Sequence, residues 1–353
     1  MAKPWLAQVD RFCHQYLQLE QELDYPPGEA LQLAEVQDAI YERLFADGAV
    51  PYGPPQRYQA RALKRLVARI EAAICDWDEH AVSDNLMSCL AQLLSTPMPP
   101  ETALAHQKFY VTYRLSLLAH ASHEDEGVAW GDPGVTLLEN RNLISAGGTT
   151  GLRTWEAALH FGQYLCLHPE LVAGKSVLEL GAGTGYLSIL CTKWLSSTHA
   201  LATDGSQDVL GNLADNLFLN NVQTPSRVTL EHIHWGHALV GSDRERWNGG
   251  QPFDVIVGAD VTYDRRVIPA LVGTVVDLVE LYPAADVFIA ETQRNEETLD
   301  TFLDACRRNS LDVEILHLPV LPRKQQEGPF YCDEIPIRIC KVSKTLPCRV
   351  EPK

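Results

Sequence analysis

The segment VLELGAGTGYLSIL, residues 177–190, determines how the rest of the sequence is interpreted. Its first residues form a short apolar run that predicts a buried strand, and its last residues predict a helix. Between the two stand Gly181, Gly183 and Gly185, each separated from the next by one residue. A glycine turn between a strand and a helix can hold a nucleoside-bearing ligand, and unrelated enzymes use it. The identity of that ligand depends on the surrounding sequence.

Strand-like and helix-like segments alternate on both sides of this turn, from about residue 134 onward. Apolar strands separated by helices predict a mostly parallel sheet covered on both faces. No helix is predicted between the last two strands, so we expect them to be antiparallel. The predicted fold class is α/β, a seven-stranded Rossmann-like sheet with an antiparallel last strand. The predicted strands are 176–180, 200–204, 228–233, 254–259, 286–291, 313–318 and 335–342, and the predicted helices are 152–167, 187–196, 206–219, 266–281 and 295–309.

The region before this domain has a helical pattern. We place the boundary after residue 133, which gives a helical N-terminal extension over 1–133 and an α/β domain over 134–353. VTLLENRNLIS (135–145) predicts two short strands at the start of the second part. The helix predicted over 57–69 carries five cations, and a solvated helix face explains them more simply than a binding surface does.

Composition excludes several classes of function. The 353 residues carry a formal net charge of −17, which disfavours nucleic-acid binding because such binding depends on cations at phosphates. The nine cysteines form no CxxC pair, and their odd number favours reduced thiols over disulfides. Neither a secretory leader nor an apolar run of about 18 residues is evident. We therefore expect a cytoplasmic protein with no membrane or nucleic-acid partner.

Asp204 stands at the end of the second predicted strand, in ATDGS. An acid at this place can accept hydrogen bonds from ribose hydroxyls, whether the ribose belongs to NAD or to S-adenosylmethionine. Asp204 alone does not distinguish the two cofactors.

Three other features favour S-adenosylmethionine. Glu179 precedes the glycines and can help to hold the cationic amino-acid end of this cofactor, whereas it would repel a diphosphate. Trp235 offers an apolar surface for an adenine, and GADVTYD (258–264) places polar groups at the end of the fourth strand. Simpler alternatives stay open, since Glu179 could cap a helix and Trp235 could be ordinary packing.

Three histidines near the third strand suggest a metal site. Alternation along the strand points His232 and His234 to the same face without adding a cysteine or carboxylate partner to them or to His237. We therefore interpret them as structural and predict no metal.

Several motifs together resemble a known family. LISAGGTTGLRTWEAAL (143–159), the glycine segment, ATDGS, HWG and GADVTYD are similar to the seven-β-strand protein-lysine methyltransferases, in particular to the members that modify elongation factor 2. The resemblance implies a class I methyltransferase domain over 134–353. It also implies a role in substrate recognition for the helical extension.

The resemblance assigns roles to individual residues. Trp155 would contact the cofactor, Asp204 would bind its ribose and Trp235 would border its adenine. The backbone of three turn residues would pass beneath the methionine part, and a fourth residue would offer backbone near the sulfonium. These four are Gly181, Ala182, Gly183 and Ala259.

The D-x-x-Y motif of this family falls on Asp260–Tyr263. A lysine nucleophile has an ordinary pKa of about 10.4, so it must lose a proton before it attacks. We expect Asp260 to hold the ammonium and then orient the amine, and Tyr263 to pack over the alkyl chain with a cation–π contact. In the alternative interpretation, Asp260 caps helix 266–281 and Tyr263 belongs to the core.

The predicted function is protein-lysine N-methylation that uses S-adenosylmethionine. Elongation factor 2 as the protein partner, and a monomeric enzyme, rest on the resemblance alone. The alternatives are a methyltransferase of the same fold that acts on another protein or a small molecule, a non-catalytic cofactor-binding protein, and an NAD-dependent dehydrogenase.

Overall fold

The computed structural model divides the chain into two compact units. One contains residues 1–144 with 326–330, and the other contains residues 145–325 with 331–353. The boundary predicted from the sequence lies after residue 133, whereas this division falls later in the chain. The structure describes the following residues: 3–97, 107–119, 133–141, 150–237, 239 and 250–345.

Amphipathic helices form most of the first unit. In the fourth helix, apolar residues recur every three or four positions, so that one face is buried while the other remains in water. Leu63, Leu66 and Ile70 on this buried face have no exposed surface. The helical pattern predicted for this region is present. The helices are α1 (Leu6–Leu17), α2 (Gly28–Leu31), α3 (Ala34–Leu44), α4 (Gln56–Ala73) and α5 (Asp84–Ser95).

The first unit also contains a two-stranded antiparallel sheet of β1 (Phe109–Arg114) and β2 (Gly134–Glu139), with the short helix α6 (Ser116–Ala119) after β1. The hydroxyl of Tyr113 donates a hydrogen bond to Glu139 Oε1 over 3.0 Å, and both residues are buried. Strand β1 is absent from the elements predicted from the sequence. Strand β2 corresponds to the first of the two strands predicted in 135–145, and the second of these lies outside the described residues.

Residues 326–330 belong to the first unit although they follow most of the second in sequence. The backbone N–H of Phe330 donates to Gln18 Oε1 over 2.8 Å, and both residues are 1% exposed. The hydroxyl of Ser116 donates to the carbonyl of Gly328 over 2.7 Å. These contacts make a segment that is distant in sequence part of the core of this unit.

A seven-stranded sheet with helices packed against it forms the second unit. The strand order is β5-β4-β3-β6-β7-β9-β8; β3 to β7 are parallel, and β9 is antiparallel to both β7 and β8. The predicted α/β class and the reversed end of the sheet are confirmed. The strands are β3 (Ser176–Leu180), β4 (His199–Asp204), β5 (Val228–His232), β6 (Val255–Ala259), β7 (Asp286–Thr292), β8 (Leu311–Leu316) and β9 (Ile337–Lys344), and the helices are α7 (Glu156–Leu167), α8 (Tyr186–Lys193), α9 (Gln207–Leu219), α10 (Ile268–Leu281) and α11 (Glu296–Arg308).

The side chains of β3 show how the sheet is covered on both faces. Leu178 and Leu180 lie in one apolar core with Val275 and Leu278 of α10. Glu179 stands between the two leucines and contacts α8 instead, because successive side chains of a strand point to opposite faces. Among the helices of the described ranges, none is both long and apolar enough to span a bilayer.

The strand order determines where a ligand can bind. From β3, the chain continues to β4 on one side and later to β6 on the other. The connections that leave β3 and β6 therefore diverge and open a crevice at the carboxyl ends of these strands. Open α/β sheets bind their ligands at such a point.

Candidate active site

A cavity of about 360 Å³ lies at the carboxyl ends of β3, β4 and β6. Turns that follow these strands form much of its wall, and residues just before α7 complete it. All the site residues predicted from the sequence line this one cavity, although they are widely separated along the chain. They are Trp155, Glu179, Gly181, Ala182, Gly183, Asp204, Trp235, Ala259, Asp260 and Tyr263.

The glycine turn joins β3 to α8 at the base of the cavity. Gly181 and Gly185 have φ angles of +64° and +83°, in the left-handed region that side chains disfavour. A Cβ at Gly185 would also lie 2.0 Å from Leu213 Cδ1. Both the backbone conformation and the packing of α9 therefore require glycine at position 185.

Asp204 ties the end of β4 to this turn. Its Oδ2 accepts a hydrogen bond from the Gly183 N–H over 3.2 Å, and its Oδ1 accepts one from the Ser206 N–H over 3.0 Å. Burial raises the pKa of this carboxyl, while the neighbouring backbone N–H groups act in the opposite direction. Asp204 thus holds the glycine turn in place and presents a carboxylate to the cavity.

Glu179, in β3, lines the cavity and also contacts the first turn of α8. Its Oε2 accepts hydrogen bonds from the backbone N–H of Ser188, over 2.9 Å, and from the Ser188 hydroxyl. Glu179 is 3% exposed, and burial raises its pKa to about 7, with a smaller contribution from the charge of Asp204. The helix-capping contact considered from the sequence is present, and the residue also lines the cavity.

Two tryptophans lie on the cavity wall. Trp155 precedes α7, and its indole N–H donates to the carbonyl of Thr150 over 3.0 Å. Trp235 is half-buried and packs against the apolar core of the sheet. A Cβ at Gly181 would lie only 3.1 Å from Trp235 Cζ2. Trp235 therefore both packs against the sheet and lines the cavity.

The Asp260 carboxylate is fully engaged within the second unit. Oδ1 accepts from the Thr292 N–H over 2.9 Å and lies 3.4 Å from Arg294 Nη1. Oδ2 accepts from the Ala157 N–H over 3.0 Å and from the Thr292 hydroxyl over 2.9 Å. An ionised carboxylate offers about four acceptor positions, so these four donors occupy them.

These contacts bear on both roles that the sequence suggested for Asp260. All four are to groups of the protein itself, and contact with a substrate ammonium stays a prediction. The carboxylate does not cap the helix that follows it, because its helical partner is Ala157 in the first turn of α7. Asp260 itself has a φ of +51°, an uncommon conformation that aspartate tolerates better than most residues. Tyr263 is 54% exposed and lines the cavity, so its assignment to the core is wrong.

Two polar residues near the end of β7, Glu291 and Arg294, are not among those predicted from the sequence. The hydroxyl of Thr262 donates to Glu291 Oε2 over 2.6 Å, and Glu291 is 2% exposed. Burial raises the pKa of Glu291. Arg294 contacts Asp260, as described above. Both residues fall in AETQRN (290–295), where polar side chains follow a buried strand, and this position at a strand end is the signal that could have identified them.

The histidines make local contacts at the end of β5. The Nε2 of His232 lies 3.1 Å from the carbonyl oxygen of Gly205, and the rings of His232 and His234 are 4.5 Å apart. Within the described ranges, no group of three histidine, cysteine, aspartate or glutamate side chains is arranged to hold a metal ion.

Known proteins show similarity over this domain and beyond it. A family model for lysine methyltransferases matches residues 141–309. The chain is 52% identical over 337 residues to protein-lysine N-methyltransferase EFM3 of Chaetomium thermophilum, which covers 96% of this chain and 98% of that protein. This chain belongs to the protein-lysine N-methyltransferase family.

Two other relatives of this methyltransferase are more distant. EFM3 of Saccharomyces cerevisiae is 32% identical, over 68% of this chain and 67% of that protein. The human protein-lysine N-methyltransferase EEF2KMT is 28% identical, over 83% of this chain and 81% of that protein. The predicted family and enzyme class are confirmed, and the dehydrogenase alternative is wrong.

Proposed function

We propose that this methyltransferase transfers the methyl group of S-adenosylmethionine to the side-chain nitrogen of a lysine in elongation factor 2. The observation that carries the proposal is the pair of acids, Glu179 and Asp204, in a cavity beside a glycine turn. The sequence resemblance to enzymes that modify elongation factor 2, and the name of the human relative EEF2KMT, support this choice of substrate.

The cavity wall fits a cationic nucleoside cofactor better than a dinucleotide. A volume of about 360 Å³ lies within the range of about 300–1,000 Å³ that is common for small-molecule sites. Burial raises the pKa of both Glu179 and Asp204. A cation bound nearby is favoured because it stabilises the ionised form of these acids. Two phosphate groups at the same place would instead be repelled by the carboxylates.

In this proposal each wall residue has a part in holding the cofactor. Asp204 accepts hydrogen bonds from the ribose, Glu179 attracts the ammonium of the amino-acid end, and Trp235 borders the adenine. The remaining contacts come from the Trp155 side chain and from the backbone of Gly181, Ala182, Gly183 and Ala259.

Methyl transfer requires mainly that the protein align the two reactants. The cofactor supplies a methyl group on a positively charged sulfur, which is a good leaving group. The protein must bring a neutral lysine amine into line with that methyl group, and alignment of this kind can lower a barrier by about 7–11 kcal/mol. Tyr263, which is exposed beside the cavity, can pack against the lysine alkyl chain and attract its ammonium before the proton leaves.

Asp260 has a positioning role in this proposal. It joins the first turn of α7 to the end of β7 through Ala157 and Thr292. It therefore holds together the two sides of the cavity wall, which carry Trp155 and Tyr263. The lysine proton then leaves to water, or to a group that the bound substrate contributes.

We also propose that the first unit contacts the protein substrate. The outer face of α4 is basic in a chain whose net charge is −17, and no acid occurs among residues 56–70. Arg61 and Arg69 lie over the rings of Tyr58 and Tyr25, at 5.3 and 4.6 Å. Such a face suits an acidic surface of a folded protein. Its exposed cations are Arg57, Arg61, Lys64, Arg65 and Arg69.

Charge reversal tests this role of α4 in the full chain. Replacing Arg61, Lys64 and Arg65 by Glu should raise the KM for the protein substrate at least about tenfold, because three attractive pairs become repulsive. The Kd for S-adenosylhomocysteine should stay the same. The control reverses Arg307 and Arg308, which are exposed on α11. Equal effects of the two sets on KM per reversed charge would show that only net charge matters.

The test of the substrate uses labelled S-adenosylmethionine, purified elongation factor 2 and a cytosolic extract. We expect label on a lysine of elongation factor 2, located by mass spectrometry, and loss of label with the Asp204→Ala variant. Label on a different protein or on a small molecule would refute this substrate. Binding of NADH in preference to S-adenosylhomocysteine would refute the cofactor. A monomer in a cytoplasmic compartment is also proposed, and sedimentation and imaging test these two points.

A further inference from the structure

Arg294 lies immediately beyond β7 and is not among the described residues that line the cavity. Its guanidinium nevertheless contacts two acids on different elements. Nη2 pairs with Glu156 in the first turn of α7, and Nη1 lies 3.4 Å from Asp260 Oδ1 at the end of β6. One side chain thus connects the start of α7 to the D-x-x-Y motif.

The same guanidinium also lies over Trp155, with its central carbon 5.0 Å from the ring centre. A second guanidinium, that of Arg153, lies over this ring at the same distance. Both arginines pair with Glu156, Arg153 over 3.6 Å. The indole N–H donates to Thr150. The ring of Trp155 is therefore fixed by two cations, by their shared acid and by a backbone carbonyl.

From this geometry we infer that Arg294 is a positioning residue for methyl transfer, which fixes the Trp155 wall of the cavity relative to the Asp260–Tyr263 motif. The inference rests on the proposed cofactor site, where Trp155 borders the donor and Tyr263 the acceptor. A displacement of about 1 Å between two reacting groups can cost about a hundredfold in rate. Arg294 connects the two walls whose separation sets that distance.

Arginine suits this place for a specific reason. Its planar guanidinium offers several donors in a fixed fork and can stack on an aromatic ring at the same time. Lysine carries the same charge as a single point and cannot bridge two carboxylates while it covers an indole. Replacing Arg294 by Lys therefore separates the effect of the charge from the effect of the geometry.

The charge of Arg294 also acts on Asp260. Burial raises the pKa of this carboxyl, and the nearby Arg294 charge is the largest influence in the opposite direction. Among the described residues, Glu291 also approaches Asp260, and burial raises the pKa of Glu291. Without the Arg294 charge, Asp260 would take up a proton at a higher pH. A protonated Asp260 is a poorer acceptor for the Ala157 N–H. As the pH is lowered, activity would therefore begin to fall at a higher pH than in the wild type.

The experiment compares three full-length variants: Arg294→Met, Arg294→Lys and Arg265→Met. Arg265 is a matched control because it also pairs with a glutamate, Glu297, and is 56% exposed against 38% for Arg294. For each variant, kcat and the KM for the protein substrate are measured from pH 6 to pH 9. The Kd for S-adenosylhomocysteine and the melting temperature are measured as well.

We expect Arg294→Met to lower kcat at least about tenfold, to change the substrate KM less than about threefold and to raise the Kd for S-adenosylhomocysteine. The acid limb of its pH profile should move to higher pH. Arg294→Lys should restore the wild-type acid limb but not kcat, and Arg265→Met should resemble the wild type in every measurement.

Three results would overturn the inference. They are full recovery of kcat by Arg294→Lys, equal behaviour of Arg294→Met and Arg265→Met, and a loss of kcat that follows the melting temperature across the whole series. The comparison uses whichever protein the wild-type enzyme methylates. An error in the choice of elongation factor 2 would therefore appear as an inactive wild type with that substrate and not as a change among the variants.

Discussion

Replacing Glu179 by Gln should remove a pH dependence from cofactor binding. Burial raises the pKa of this carboxyl to about 7, so about half of the free enzyme carries a protonated Glu179 at neutral pH. An ammonium bound beside it favours the ionised form. Glutamine has nearly the same shape, and its carbonyl oxygen can still accept the hydrogen bonds from Ser188. The variant therefore isolates the charge.

The size of the effect follows from the pKa. With a pKa of about 7, the ionised fraction is about one in eleven at pH 6.0 and about three in four at pH 7.5. The Kd of wild-type enzyme for S-adenosylhomocysteine should thus be about eightfold larger at pH 6.0 than at pH 7.5. In Glu179→Gln the Kd values at the two pH values should differ less, because residue 179 no longer changes its charge. Any contribution from Asp204 is common to both proteins.

Isothermal titration calorimetry at the two pH values measures this effect. S-adenosylhomocysteine is the suitable ligand because it has the amino-acid end without the sulfonium, so the measurement reports on the ammonium. Wild-type binding that does not change with pH would refute the assignment of Glu179. The same conclusion would follow if Glu179→Gln retained the full dependence of the wild type.

The stability of the free enzyme should change with pH in the opposite direction. The pKa of Glu179 is higher in the folded state than its ordinary value of 4.5, so the folded state binds the proton more tightly than the unfolded state does. This contribution to stability is complete below pH 4.5 and is lost as the pH rises through about 7. Above pH 7, Glu179→Gln should exceed the wild type in free energy of unfolding by up to about 3 kcal/mol, as measured by urea denaturation.

Substitutions at three further positions test the other parts of the site. Asp204→Ala should raise the Kd for S-adenosylhomocysteine about tenfold to a hundredfold, because hydrogen bonds to a charged group contribute about 1.5–3 kcal/mol; unchanged binding in calorimetry would contradict the ribose assignment. Asp260→Ala should lower both turnover and the free energy of unfolding, the latter by about 3–5 kcal/mol, since the N–H groups of Ala157 and Thr292 lose a buried acceptor. Loss of turnover with unchanged thermal stability would instead favour direct contact of Asp260 with the lysine. Tyr263→Phe should keep most of the activity. Tyr263→Ala should raise the substrate KM several-fold, because a cation–π contact contributes about 0.5–2 kcal/mol. Equal steady-state kinetics of the two variants would count against this contact.

Much of the second unit follows from local sequence patterns. Each predicted strand and helix of the sheet region is present, with ends that differ by a few residues. Hydrophobic periodicity is a local property, and parallel strands buried on both faces are continuous apolar runs. The reversed pair β8 and β9 was predictable because no helix pattern separates them. The glycine turn was predictable because positive φ angles and close packing restrict the residue type.

The residues that line the cavity were also predictable from the sequence. The order of elements places the ends of β3, β4 and β6 at one edge of the sheet, and polar residues at those ends meet there. The sequence therefore indicated which side chains surround the cavity. The pattern of polar residues at strand ends does not specify how each side chain is hydrogen-bonded.

The elements that were missed depend on partners distant in the chain. Strand β1 is short and, within the described ranges, pairs with β2 alone, and residues 326–330 join the first unit through Gln18. No periodic pattern marks such contacts. They exist because the folded chain buries polar groups that must find hydrogen-bond partners wherever the fold supplies them.

The sequence by itself thus determined the class of sheet, the glycine turn and the group of residues around the cavity, because each follows from local periodicity and from the order of the strands. The tertiary structure alone decided which groups Asp260 contacts. Its four acceptor positions are taken by donors from Ala157, Thr292 and Arg294, which come from other elements of the fold. The carboxylate therefore joins the first turn of α7 to the end of β7, and burial of the Ala157 and Thr292 donors is the physical reason.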